Sequence, residues 1–288
     1  MTAQSDPSQN DNPYVIDAES AIEMARLVHQ DLLVTKCMGG LFSERPDFAN
    51  IHRVLDIACG PGGWALEVAF AHPDIEVVGI DISRVMVEYA TAQAQVQGLD
   101  NARFIVMDAL KPLDFRDNSF DLVNARTLGG FMSPSAWPAF VEECVRIADT
   151  EGLVRLTEAD DFGTTSSPAF EKLWGMCLRA FQLAGRTFFP DGRNLGTTPR
   201  LRKLLHDAGC QKIQSTAHVL DYSAGAEAYE STYQDWKVAF KLIQPFLIRM
   251  GITTQEETDQ LYQQVLAEIL SPDFCGVAYS LSVCGEKP

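Results

Sequence analysis

The sequence predicts an α/β fold in which mostly parallel strands form a doubly wound sheet. Two observations support this prediction. Short apolar runs of strand type alternate along the chain with stretches whose apolar residues recur every three or four positions, as in βαβ units. In addition, the stretch VLDIACGPGG (54–63) places a glycine-rich turn between the first strand and the helix that follows it, where such folds bind a ligand.

The pattern divides the chain into three regions. Residues 1–13 are polar and are expected to be disordered. Residues 14–50 are expected to form a helical cap, because their apolar side chains fall on one helical stripe. The main domain is predicted at 51–288, with insertions at about 161–197 and 223–272 that are too long to be simple connections.

The elements of the main domain follow in order along the chain. The first strand enters the glycine turn, and a helix leaves the turn at Trp64. Ser83 can cap the helix after the second strand, Gly98 is the expected end of that helix, and Gly209 ends a later one. Strands are predicted at 53–57, 75–81, 102–109, 120–126 and 152–159, near 212–217, and at 274–285.

Composition restricts the partners. The formal net charge of −16 disfavours nucleic acid and anionic membrane surfaces, so a small-molecule substrate is expected. The seven cysteines form no CxxC pair and no cluster with histidine, which predicts reduced thiols and no metal site. The N-terminus lacks the pattern of a signal peptide and no apolar run is long enough to span a bilayer, so a cytoplasmic protein is expected.

The glycine turn predicts a nucleotide site. Gly60, Gly62 and Gly63 would let the main chain approach a ligand, and the helix that follows presents its N-terminus there. Asp81 ends the second predicted strand, where its carboxylate can accept both ribose hydroxyls. These residues, with Ala65, also satisfy the dinucleotide fingerprint, so the turn alone leaves the nucleotide open.

Three polar residues near the turn favour a different ligand. A carboxylate at Asp56, four residues before Gly60, would repel a pyrophosphate but suits an ammonium or a sulfonium. Asp108 follows the third strand, ready to accept from an exocyclic adenine amine. Asn124 reaches the end of the fourth strand over the same crevice.

The order VLDIACGPGG, VVGIDIS, FIVMDA, FDLVNAR resembles class I S-adenosylmethionine-dependent methyltransferases, especially the small-molecule branch with the ubiquinone and menaquinone methylases. The resemblance covers about 50–160. It implies S-adenosyl-L-methionine as cofactor, S-adenosylhomocysteine as product, and a Rossmann-like sheet whose last strand, here 274–285, lies antiparallel between the fifth and sixth. One departure is the turn TEGL before the fifth strand, where the family commonly has Pro-Gly-Gly.

Carried onto this sequence, the resemblance implies a set of cofactor contacts. Asp56, Ala58 and Gly60 would surround the methionine portion, and Gly62 would belong to the same loop. Asp81 would bind the ribose. The remaining contacts would be Ile82 and Met86 flanking the adenine, Asp108 and the Ala109 backbone at its amine, and the Asn124 carbonyl at the cofactor's amino group.

The catalytic residues stay open, because a sulfonium methyl is already activated and needs mainly alignment and exclusion of water. His29 is a candidate base or a plain helix residue, and Arg126 could orient an acidic substrate or form a salt bridge. Glu158, Asp160 and Asp161 could serve as bases, as solvated strand-end carboxylates or, with Asn124, as magnesium ligands.

The aromatic stretch 170–192, which includes Trp174, favours an apolar or aromatic acceptor, although such residues are also typical of a core. Two other functions fit the same motifs. One is a protein that binds the sulfonium without methyl transfer, for example to assist a cyclisation, and the other is a nicotinamide-dependent oxidoreductase. The sequence leaves O-, N- or C-methylation and the oligomeric state open, a homodimer included.

Overall fold

A computed structural model describes residues 14–43 and 50–288 of the 288-residue chain. The segment 1–13 and part of the predicted cap therefore lie outside the described residues. The strands are β1 Arg53–Ile57, β2 Glu76–Asp81, β3 Ala102–Val106, β4 Phe120–Arg126, β5 Ala148–Glu158, β6 Thr164–Thr165, β7 Gln211–Asp221 and β8 Gly276–Glu286. The helices are α1 Ala21–Cys37, α2 Gly63–Ala71, α3 Arg84–Gln97, α4 Trp137–Ile147, α5 Pro168–Leu183, α6 Thr198–Asp207, α7 Tyr229–Leu242, α8 Gln244–Arg249 and α9 Gln255–Ile269.

The described strands form one sheet in the order β3-β2-β1-β4-β5-β8-β6, and β7 pairs with β8 beyond this path. The pairs among β1 to β5 are parallel, whereas β8 runs antiparallel to both β5 and β7. The predicted fold class, with an antiparallel last strand between the fifth and sixth long strands, is confirmed. The doubly wound order reverses between β1 and β4, and the carboxyl ends of these strands meet the glycine turn.

Some strand boundaries differ from the prediction. The third strand ends at Val106 rather than near 109, because the Asp108 carboxylate accepts the N–H of Leu110 at 2.9 Å and starts a turn. The sixth predicted strand continues to Asp221, where it still pairs with β8. The two-residue strand β6 was not predicted, since it exists only through its pairing with the first residues of β8.

The sheet is buried on both faces. Leu55 and Ile57 of β1 pack into a cluster with α4 and α6, whereas Val54 packs on the opposite face against α2. This alternation follows from the two-residue period of a strand. Parallel strands covered by helices on both sides explain why the sequence reads as nearly continuous apolar runs.

The two predicted insertions pack against each other. Residues of 161–197 and 223–272 share one apolar cluster formed mainly by α5, α7, α8 and α9. Its centre is aromatic: the ring of Phe170 lies 5.6 Å from that of Trp236 and 5.2 Å from that of Phe240. This cluster lies beside the carboxyl end of β5 and forms a helical wall next to the sheet.

Helix α1 lies between the sheet and this helical wall. Ser20 caps α1 by accepting the N–H of Glu23. Arg26 forms buried ion pairs with Glu23 of α1 and Asp235 of α7, at 2.7 and 2.9 Å. On its other side, α1 is joined to the end of β4 by an ion pair between Asp31 and Arg126. Among the helices described here, none is long and apolar enough to cross a membrane.

Candidate cofactor and acceptor site

The glycine turn after β1 contains residues in the left-handed region. Gly60 has φ of 53° and Gly62 has φ of 80°, a conformation that favours glycine. A Cβ on Gly62 would lie 2.8 Å from the Cβ of Ala90 and 2.8 Å from the ring of Phe104, so this glycine is required by packing against α3 and β3. A Cβ on Gly60 would meet Leu27 at 3.9 Å, and Gly60 lines a cavity.

Asp81 holds the turn from the end of β2. Its Oδ2 accepts the N–H of Gly60 at 2.9 Å, and its Oδ1 accepts the N–H of Ser83 at 2.9 Å. Burial raises the pKa of this carboxyl, while the two N–H groups act in the opposite direction. Asp81 is therefore a half-buried carboxylate at the mouth of the turn, in the position from which ribose recognition is predicted.

The cavity at this point brings together residues from four strand ends, and we call it the nucleoside cavity. Eight of the ten predicted cofactor residues line it, and Gly62 and Asn124 do not. Whether the eight contact the cofactor stays a prediction. They are Asp56, Ala58, Gly60, Asp81, Ile82, Met86, Asp108 and Ala109.

Asn124 lies behind the cavity and supports Asp56. Its side chain is fully buried, and its Nδ2 donates to Asp56 Oδ1 at 2.7 Å, while its Oδ1 accepts from Arg155 at 3.1 Å. Burial raises the pKa of Asp56 to about 7, and the positive charges of Arg126 and Arg155 and the Asn124 amide oppose this rise. The side-chain amide of Asn124 is therefore engaged by Asp56 and Arg155, and the contact between the Asn124 carbonyl and the cofactor stays a prediction.

Helix α1 supplies a wall of the nucleoside cavity that motif reasoning missed. Leu27, Gln30, Asp31 and Val34 line it from α1, together with Tyr14 and Ala18 before the helix. The only sequence signal for this wall is the amphipathic pattern of the cap, which does not say which residues face the ligand. Arg126 also lines the cavity, and it pairs with Asp31 and donates to Thr35 Oγ1 at 3.1 Å.

A second cavity, which we call the aromatic chamber, adjoins the first. The two cavities share Tyr14, Leu27, Gln30 and Thr127. The chamber lies between the turn at Leu128–Gly130, the end of β5 and the helical wall. Its side chains are mostly apolar and aromatic, among them Phe162, Trp174, Phe181, Trp236, Phe240 and Leu195.

The aromatic chamber also contains polar groups. Trp174 and Trp236 are 4% and 6% exposed, and neither indole N–H has a hydrogen-bond partner among residues 14–43 and 50–288. Glu158 is buried in the chamber wall, where one of its oxygens accepts the N–H of Leu128 at 2.6 Å. Burial raises the pKa of Glu158 to about 8, despite the N–H groups of the turn.

Of the other candidate polar residues, Asp160 and Asp161 have structural partners, and His29 lies away from the two cavities. Asp160 accepts the N–H groups of Thr197 and Thr198 at 2.6 and 2.9 Å and so holds the start of α6, and Asp161 accepts the N–H of Gly163. His29 is exposed on the side of α1 away from both cavities. Within the part of the chain that the structure describes, no group of three or more His, Cys, Asp or Glu residues is placed to hold a metal ion.

Comparison with known proteins agrees with this architecture. The family model of a methyltransferase domain matches residues 54–152. The chain is 39% identical over 87 residues to the uncharacterized methyltransferase YcgJ of Bacillus subtilis, covering 30% of this chain and 33% of the relative. It is 34% identical over 103 residues to demethylmenaquinone methyltransferase of Geobacillus kaustophilus, covering 35% and 42%. The chain thus spans well under two thirds of the length of these curated relatives.

Solved structures share the fold over a longer span. The crystal structure of YcgJ from Bacillus subtilis superposes with a TM-score of 0.55 at 20% identity, covering 88% of this chain and 98% of that one. The [4+2]-cyclase SpnF superposes with a TM-score of 0.50 at 19% identity, covering 94% and 97%. The motifs, the strand order and the matched family model together show that the chain carries a methyltransferase domain of the class I S-adenosylmethionine-dependent family.

Proposed function

We propose that the protein transfers the methyl group of S-adenosylmethionine to a small apolar or aromatic acceptor held in the aromatic chamber. The observation that carries this proposal is the junction of the two cavities at Tyr14, Leu27, Gln30 and Thr127. One cavity contains the nucleoside-binding motifs, and the other contains a mostly apolar wall. A molecule in the chamber would therefore lie beside a ligand in the nucleoside cavity.

The residues of the nucleoside cavity fit a cationic nucleoside. Four aspartates line it, Asp31, Asp56, Asp81 and Asp108, whereas Arg126, the one basic residue in its described lining, is paired with Asp31. Such a wall is unfavourable for the pyrophosphate of a dinucleotide and favourable for a ligand with an ammonium and a sulfonium. This charge pattern supports S-adenosylmethionine over a nicotinamide cofactor.

When bound, S-adenosylmethionine supplies a methyl group on a positively charged sulfur, which is already a good electrophile. The protein's residues then have two tasks, alignment and exclusion of water. Asp81 holds the turn and is placed for the ribose, and Asp56 is placed for the ammonium. Helix α1, with the Asp31–Arg126 pair, forms one wall of the cavity and so limits the access of water to it.

The chamber supports a neutral acceptor rather than an anionic one. Glu158 and Asp161 line it, and Arg26 is already paired with Glu23 and Asp235. The two indole N–H groups can donate to an oxygen of the acceptor. An apolar molecule with a hydroxyl or carbonyl oxygen would satisfy these donors and fill the aromatic surface.

The proposal is tested in two steps. Calorimetry should show that the purified chain binds S-adenosylhomocysteine and not NADH. Incubation with methyl-labelled S-adenosylmethionine and a set of small aromatic and apolar hydroxy compounds should then give a labelled product. Tight binding of NADH without binding of S-adenosylhomocysteine would reject the proposal.

A second candidate function keeps the cofactor and omits methyl transfer. The similarity of fold to the cyclase SpnF favours keeping this alternative, because it shows that the architecture occurs in a protein named for a different reaction. Consumption of an acceptor with no label in the product would support this second function. Labelled product would exclude it for that acceptor.

A further inference from the structure

We propose that Arg155 is a positioning residue that, through Asn124, sets the recognition of the cofactor's ammonium end by Asp56. This inference rests on the proposed function only in taking S-adenosylmethionine as the ligand. Neither the motifs nor the comparisons assign a role to Arg155, which lies in the middle of β5 and outside the cavity lining.

The three residues form a row across the sheet. Asp56 of β1 is in register with Asn124 of β4, and Asn124 is in register with Arg155 of β5. Side chains at matched positions of neighbouring parallel strands lie on the same face of a sheet. The row is therefore built by the strand register and continues from the nucleoside cavity into the protein interior.

Hydrogen bonds connect the row from end to end. Arg155 Nη1 donates to Asn124 Oδ1 at 3.1 Å, and Asn124 Nδ2 donates to Asp56 Oδ1 at 2.7 Å. All three residues are buried, with exposed fractions of 0% for Arg155, 0% for Asn124 and 3% for Asp56. Buried polar groups in such a chain depend strongly on their partners, because water cannot replace a lost bond.

The direction of the chain follows from donor chemistry. A guanidinium has N–H donors and no acceptor, so the Asn124 oxygen must face Arg155. The amide NH₂ must then face Asp56, where it stabilises the ionised carboxylate. Without the guanidinium, the Asn124 oxygen has no donor in this row, so the amide can rotate and accept a hydrogen bond from the protonated Asp56 carboxyl, which favours the neutral form of Asp56.

Charged groups from several elements act on Asp56. Arg126 of β4 and Arg155 of β5 favour its ionised form, and Asp31 of α1 opposes it. Arg126 is itself paired with Asp31. Arg155 is therefore the cation that acts on Asp56 from inside the protein, on the side away from the cavity.

Arg155 also connects Asp56 to the segment after α1. Its Nη1 donates to the carbonyl of Leu41 at 3.2 Å, and the same carbonyl accepts the indole N–H of Trp64 at 2.8 Å. The guanidinium lies 5.1 Å from the centre of the Phe42 ring. The position of this segment is thus coupled, through Arg155, to the group proposed to bind the ammonium.

The test compares two ligands in three proteins. S-Adenosylhomocysteine has the aminoacyl end, and 5′-methylthioadenosine lacks it. Calorimetry on the wild type, R155M and R155K from about pH 6 to about pH 9 measures how much tighter the first ligand binds than the second. The wild type should show a preference that weakens as the pH falls below about 7, where Asp56 becomes protonated.

In R155M the preference should fall by roughly tenfold at neutral pH, the scale of one hydrogen bond to a charged group. The pH at which half of the preference is lost should move upward. The affinity of R155M for 5′-methylthioadenosine should stay within about twofold of the wild-type value. R155K should restore most of the preference, because lysine is also a pure hydrogen-bond donor. Unchanged preference and unchanged pH dependence in R155M would overturn the proposal.

If R155M binds both ligands more weakly by the same factor, the proposal is also overturned, because that result indicates a general loss of structure. If R155M does not fold, N124L decides the question: it keeps the side-chain size and removes the link, so it should lose the preference. An N124L protein with wild-type preference would overturn the inference. Failure of the wild type to bind either nucleoside would instead reject the proposed function.

Discussion

Replacement of Asp81 by alanine is expected to weaken the binding of adenosine and of S-adenosylhomocysteine by the same factor. Asp81 is placed to accept the two ribose hydroxyls, and a hydrogen bond to a charged group contributes about 1.5–3 kcal/mol. Both of its oxygens already accept one N–H, from Gly60 and Ser83, so each has limited capacity for a further bond. We therefore expect a loss of about 2 kcal/mol, or roughly 30-fold in affinity.

The assay must separate the ribose contact from damage to the turn, because D81A also leaves the Gly60 and Ser83 N–H groups unpaired. Calorimetry with adenosine and with 2′,3′-dideoxyadenosine makes this distinction. The wild type should prefer adenosine, and D81A should bind both nucleosides alike. Glu76 at the other end of β2 is exposed, and E76A is the matched control that should keep the wild-type preference.

Two results would refute this reasoning. If D81A still prefers adenosine over the dideoxy compound, then Asp81 does not bind the ribose. If D81A weakens both nucleosides equally and the wild type shows no preference, then the carboxylate serves only to hold the turn. Either outcome would remove Asp81 from the proposed cofactor contacts.

Three further outcomes are expected. W174A should weaken acceptor binding by about tenfold or more and leave the affinity for S-adenosylhomocysteine unchanged, because Trp174 lines the aromatic chamber and not the nucleoside cavity. Calorimetry that finds both affinities reduced would contradict the two-cavity arrangement. G62A should lower the free energy of unfolding by about 1–3 kcal/mol more than G98A in urea titrations, because both glycines have positive φ but only at Gly62 would a Cβ collide with neighbours. Burial raises the pKa of Asp56 to about 7, so between about pH 4 and pH 7 the folded protein holds a proton that the unfolded chain has already released. The free energy of unfolding should therefore fall as the pH rises through this range, by at most roughly 4 kcal/mol. D56N should flatten this part of the stability curve, whereas the exposed carboxylate variant D74N should not.

Local pattern was sufficient to predict the sheet. The parallel strands are short, apolar and buried on both faces, so their signal survives in a single sequence. The predicted strand boundaries are wrong where a side chain or long-range pairing determines where a strand ends. Asp108 starts a turn that ends β3 early, and pairing with β8 extends β7. A two-residue strand such as β6 has no periodicity of its own and exists only through its partner.

The predicted cofactor residues that line the nucleoside cavity are those whose role is tied to a strand end or to the glycine turn, and their contact with the cofactor stays a prediction. Asp56, Gly60 and Asp81 are of this kind, and the structure brings them to one cavity. Asn124 was predicted as a site residue, but the orientation of its side-chain amide was not predictable from the sequence. Its side chain is oriented by a buried arginine on the next strand, and only the register of β4 and β5 reveals that neighbour.

The aromatic chamber shows why acceptor recognition is harder to derive than cofactor recognition. The cofactor motifs lie on strand ends that the fold brings together in every such sheet, so each motif predicts its own location. The chamber instead combines Phe162, Trp174 and Trp236 from two separate insertions, with rings 3.8 and 4.6 Å from that of Phe162. In the sequence these aromatics are indistinguishable from core residues, and many of them serve as core as well. What distinguishes the chamber is a property of contacts: two buried indole N–H groups without hydrogen-bond partners in the described chain, next to a buried carboxyl. Because burying an unpaired donor is unfavourable, their position beside the nucleoside cavity supports the proposal of an acceptor that takes those hydrogen bonds.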